Sequence, residues 1–136
     1  MGRHELREQV FRLLFRSEFH TLEEMPQQVR LFIEGSEEIT REKDAEAVSE
    51  KYNCVQEKIP QLDKMLNEQM DGWDTGRIGK VELTILRIAL YEMLFDESVP
   101  NGVAIDEAVE IAKTYGQENS GAFVNAVLAK FVKTGD

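Results

Sequence analysis

The residues best suited to hold a transition metal or to run nucleophilic catalysis are His4, His20 and Cys54, the only histidines and the only cysteine of the chain. A structural zinc site takes four nitrogen or sulfur ligands, usually supplied as closely spaced pairs, and these three residues form no such pair. The chain has no Gly-x-Ser-x-Gly elbow to expose a serine nucleophile. It also lacks a Gly-x-x-x-x-Gly-Lys-Ser/Thr loop to cradle phosphates. The spacing therefore predicts no catalytic set, no metal and no cofactor. Carboxylates are concentrated from Glu34 to Glu50, where seven acids (Glu34, Glu37, Glu38, Glu42, Asp44, Glu46, Glu50) face two bases (Arg41, Lys43). The sum of −5 is half of the net charge of −10, and it reads as a solvated face rather than as acid/base pairs.

Two groups have recognition chemistry instead. Residues 1–16 carry Arg3, Arg7, Arg12 and Arg16 against Glu5 and Glu8, a local +2 in an acidic protein. A guanidinium fork meets phosphate oxygens bidentately and stacks on bases. The same arginines can equally pair with surface acids, which contributes little, and both readings stand at this point. Asn119-Ser120-Gly121-Ala122-Phe123 is the second group. Free N–H groups at a helix start suit an anion, and an aromatic ring beside them suits a base of single-stranded RNA. Phe123 lies one position before an apolar stripe, so completing the core is the simpler reading of its ring.

The elements that must position these groups all read as helices. The chain has 136 residues, 42% hydrophobic and 31% charged, the profile of one globular domain over residues 1–136. Its acidity excludes bulk attraction to DNA or an anionic membrane. A single cysteine makes no internal disulfide, no apolar run reaches the length of a membrane helix, and the charged N-terminus has no signal-peptide core. A cytoplasmic protein is expected. Leu6, Val10, Leu13 and Leu14 stripe a helix over about 3–19, and Thr21 to Glu24 has capping-box spacing before Pro26. A long helix is expected over 43–58, broken or kinked at Pro60 and continuing to about Met70. A loop over 71–76 leads to the most apolar segment, 77–95, which is expected to be the central helix. Helices over 103–115, ended by Gly116, and over 120–133, capped by Asn119 or Ser120, complete an all-α bundle of six or seven helices.

Three runs then become recognisable: Glu82-Leu83-Thr84-Ile85-Leu86-Arg87-Ile88-Ala89-Leu90-Tyr91-Glu92, Val103-Ala104-Ile105-Asp106-Glu107-Ala108-Val109-Glu110-Ile111-Ala112-Lys113 and Phe123-Val124-Asn125-Ala126-Val127-Leu128. Together with the arginine-led first helix they closely resemble the NusB family of bacterial transcription antitermination factors, over essentially the whole chain. The resemblance implies an all-α fold of two small subbundles, no enzymatic activity and no cofactor. It implies binding to boxA-type single-stranded RNA together with the ribosomal protein that acts as NusE, in an RNA polymerase elongation complex.

Matched position by position, the resemblance assigns RNA contacts to Arg3, Arg7, Asn119 and Phe123, which favours the stacking reading of the ring. His4 stands where the family usually has an arginine, Arg12 where it usually has a glutamine and Phe15 where it usually has a tyrosine. Asn119 stands where an aspartate is common. His4 and Arg12 join the expected RNA surface on that basis. Glu82 matches a partner-facing acid, and Tyr52 and Arg77 are expected nearby. The acidic stretch would then face a basic ribosomal protein and speed encounter. Alternatives are a helical interaction module without RNA binding and the RNA-holding part of a ribosomal RNA methyltransferase. A homodimer is an alternative state of the free chain.

Overall fold

A computed structural model describes residues 1–70 and 74–132, and among these the protein has six α-helices, one short 3₁₀ turn and no strand. The all-α expectation holds. Residues 71–73 of the expected 71–76 loop lie outside the described residues. The last helix, expected over 120–133, ends earlier, at Ala129, with a turn over 130–131. The chain divides into two compact units, Met1–Glu57 and Lys58–Asp136.

In the first unit, α1 (Arg3–Arg16) buries Val10, Leu13 and Leu14 of the expected stripe, with Phe11 added and Leu6 only half-buried. The helix ends at Arg16, and residues 17–19 tighten into the 3₁₀ turn, with the Ser17 hydroxyl turned back on the Leu14 carbonyl. The capping pattern forms as expected: the Thr21 N–H donates to Glu24 Oε1 at 2.8 Å, and the Glu24 N–H donates to Thr21 Oγ1 at 3.3 Å. It closes a turn, and α2 (Met25–Glu34) starts just after it, with Pro26 in the first helical turn, where a missing N–H has no cost. Met25, Phe32 and Ile39 join the buried set.

Of the break or kink expected at Pro60, the break does not form. A single helix, α3, runs from Glu42 to Gln69 with Pro60 inside it. Proline removes one backbone bond and costs about 3 kcal/mol in a helix interior. Val48, Tyr52 and Val55 before it, and Leu62 and Leu66 after it, are all buried. At roughly 1.5–3 kcal/mol for each large apolar side chain, burial on both sides outweighs the defect. The boundary between the two units, at Glu57 and Lys58, lies within a turn of this proline.

In the second unit, α4 (Lys80–Phe95) buries an unbroken run from Leu83 to Leu90 and is the central helix. It starts three residues later than expected because 75–77 form a turn before Gly79. α5 (Asn101–Tyr115) and α6 (Ser120–Ala129) pack on it and on each other. No described helix is long and apolar enough to cross a membrane.

Candidate nucleic-acid and partner interface

The N-terminal arginines differ in what they offer. Arg3, His4 and Arg12 are exposed, whereas Arg7 is only 7% exposed and is part of the packed surface of α1. His4 Nε2 lies 3.7 Å from the Glu8 carboxylate one turn on. Arg12 and Arg16 both lie over the ring of Phe32, at 5.9 and 5.4 Å from its centroid, and Arg16 also donates to Gln28 Oε1 at 3.0 Å. Arg12 is 3.6 Å from Glu38. The Glu38 carboxyl is held below its ordinary value by its own backbone N–H first, then by the Ser36 hydroxyl, with a smaller pull from Arg12. Arg12, Arg16, Phe32, Ser36 and Glu38 line an open hollow of about 300 Å³. A pair of guanidinium groups on one aromatic ring was not read from the sequence, although Arg12 and Arg16 are one helical turn apart.

Tyr52 is buried at 3% exposure, and its hydroxyl has no hydrogen-bond partner. Burial pushes its pKa above the usual 10.0. Its ring contributes to the core of the first unit rather than to an exposed face.

Four of the expected residues come together in the second unit. Arg77, Glu82, Asn119 and Phe123 line one pocket of about 240 Å³, with Ile78, Gly79, Gln117 and Ser120 completing the wall. Arg77 and Asn119 are exposed, and Phe123 is half-buried with its backbone N–H on the Asn119 carbonyl at 3.1 Å. The floor is a short hydrogen-bonded chain. Gln117 N–H donates to Ser120 Oγ at 2.8 Å, and Ser120 Oγ donates to Glu82 Oε1 at 2.8 Å. Asn119 occupies the cap position of α6, but its side chain makes no capping bond.

Gly116, read from the sequence only as a helix end, and Gly79 both have close steric neighbours here. A Cβ at Gly116 would stand 2.6 Å from Ser120 Oγ, and a Cβ at Gly79 would stand 2.6 Å from Glu82 Oε2. Gly116 is extended, not left-handed, so close approach rather than backbone freedom explains it. Among the described residues, no three His, Cys, Asp or Glu side chains are placed to hold a metal ion.

The described residues thus form an all-helical fold in whose second unit a carboxylate, an amide and an aromatic ring line one hollow. A relative from Agathobacter rectalis, "Transcription antitermination protein NusB", is 45% identical over 133 residues, 96% of this chain and 99% of that protein. Among solved structures, NusB from T. maritima superposes with a TM-score of 0.84 at 34% identity, covering 98% of this chain and 92% of the other. A structure of the antitermination factors NusB and NusE in complex with dsRNA shares the fold with a TM-score of 0.81 at 24% identity, covering 96% of each chain. The NusB family model matches residues 4–133. The chain belongs to the NusB family of transcription antitermination proteins.

Proposed function

We propose that this protein acts in antitermination as a non-catalytic adaptor. It binds boxA-type single-stranded RNA together with a ribosomal protein acting as NusE, in company with elongating RNA polymerase. The observation that carries the reading is the shared pocket of the second unit, where Asn119 and Phe123, expected at RNA, stand beside Glu82 and Arg77, expected at the partner. A solved structure of the same fold holds NusB and NusE in complex with dsRNA, which supports the pairing of partners. The half-buried Phe123 ring provides a stacking face, a feature that suits an unpaired base better than a closed duplex. Arg3 and Arg12 supply exposed cations on α1, with the exposed His4 imidazole on the same helix, and buried Arg7 and Tyr52 hold the shape of the first unit. Glu37, Glu38, Glu42 and Glu46 are all exposed and available to a basic partner.

The test is a titration with a short single-stranded boxA-type RNA at several salt concentrations, with and without NusE and with a duplex of the same sequence in a parallel arm. Binding should weaken steeply with salt. Phe123→Ala should cost about 1–3 kcal/mol of RNA affinity, and Arg12→Ala should flatten the salt slope by about 0.7, the contribution of one single-strand phosphate contact. Equal affinity for the duplex, or a Phe123→Ala protein that binds like the parent, would overturn the single-strand assignment.

A further inference from the structure

We propose that Ser120 is a positioning residue through which Glu82 fixes the first turn of α6, so that occupation of Glu82 by a partner's cation and occupation of Phe123 by a base reinforce each other. The inference rests on the functional reading above and adds to it a physical link between the two surfaces.

Ser120 is 3% exposed. A hydroxyl has one hydrogen to give and two lone pairs. Here the hydrogen goes to Glu82 Oε1, and one lone pair takes the Gln117 N–H, both at 2.8 Å. The side chain therefore ties α4 to the chain entering α6. Because Asn119 makes no side-chain cap, this bond supplies the anchoring that the helix start otherwise lacks. The Glu82 carboxylate also brings negative charge to the start of α6, the end at which the helix dipole favours it.

The tie is tightly fitted. A side chain at Gly116 would overlap Ser120 and the Ala112 carbonyl, whereas one at Gly79 would meet the movable carboxylate end of Glu82. Asn119 and Phe123 are the residues displaced if the tie loosens, since they flank Ser120 within one helical turn and are joined by the Phe123 N–H to Asn119 carbonyl bond.

A carboxylate has two oxygens. With Oε1 held by Ser120, Oε2 remains to accept from a lysine or arginine of the partner. A partner that fixes Glu82 thereby fixes the pocket wall that presents Phe123. Linkage requires that the RNA then improve partner affinity by the same factor as the partner improves RNA affinity.

The experiment measures the affinity of a short single-stranded boxA-type RNA, alone and with NusE, for the parent protein and for Ser120→Ala, Gly116→Ala, Glu82→Ala and Glu82→Gln, with helicity checked by circular dichroism. Ser120→Ala and Gly116→Ala should bind RNA about tenfold more weakly, the equivalent of one lost hydrogen bond, with the salt slope unchanged because no phosphate contact is lost. The factor by which NusE improves RNA binding should fall toward one. In the absence of NusE, Glu82→Gln should recover most of what Glu82→Ala loses, since its amide oxygen still accepts from Ser120. This pair keeps the test open if a Ser120 or Gly116 variant fails to fold. Parent-like RNA affinity and parent-like NusE enhancement in folded Ser120→Ala would overturn the inference, as would Glu82→Gln behaving like Glu82→Ala. A parent protein that ignored the RNA altogether would overturn the functional reading itself, which is a distinct result.

Discussion

Thr21 and Glu24 are both exposed, yet each satisfies the other's backbone N–H across a tight turn. The bond from the Thr21 N–H, with smaller pulls from the Thr21 hydroxyl and from His20, holds the Glu24 carboxyl below its ordinary 4.5. A carboxylate whose folded pKa is lowered contributes stability above its unfolded pKa and loses it as pH falls through the lowered value. The melting temperature of Glu24→Gln should therefore fall short of the parent's above about pH 4.5, and the gap should close in more acidic solution. A gap that persisted at the lowest pH would show that the carboxylate's charge is not what matters. This turn was legible in the sequence because its two side chains and their spacing are local. The burial of Arg7 was not legible, because composition assigns no guanidinium to an interior. Tyr52 recurs at helical spacing with Val48 and Val55, and it is buried with them.

Within the second unit, α3 and α4 are joined by one well-formed ion pair. Arg87 Nε donates to Asp63 Oδ1 at 2.9 Å and Nη2 to Asp63 Oδ2 at 2.7 Å, with the arginine side chain only 10% exposed. Removing Asp63 deprives a largely buried guanidinium of its bidentate partner. Asp63→Ala should therefore cost about 3 kcal/mol in urea denaturation, whereas the double variant Asp63→Leu with Arg87→Met should recover part of that loss. Parent-like stability in Asp63→Ala would mean that water reaches the guanidinium. The elements themselves were largely readable, since the apolar stripes of α1, α4 and α5 recur at helical spacing. The end of α1, the start of α4 and the continuity of α3 through Pro60 were not. The last of these depends on burial on both sides of the proline, which the local rule that proline interrupts a helix does not include.

Charge and function meet at the level of the whole chain. A protein of net charge −10 cannot rely on bulk attraction to RNA. On the proposed reading, selectivity then comes from a few placed groups, divided between an arginine-bearing helix in the first unit and a pocket in the second. Family likeness in the sequence pointed to both sets. The Ser120 tie became visible only in the folded chain because it depends on α4 and α6 meeting, and the crowding at Gly79 and Gly116 because it depends on where Glu82 and Ser120 turn their side chains. Pro60 has a further consequence. Its ring nitrogen bears no hydrogen, so the ladder of α3 lacks a rung close to where one compact unit gives way to the other. Fraying that begins in either unit has a natural stopping place there. Native-state deuterium uptake along α3 should accordingly show two plateaus of protection with a step near residue 60 rather than one smooth gradient, and a Pro60→Ala protein, with the rung restored, should merge them.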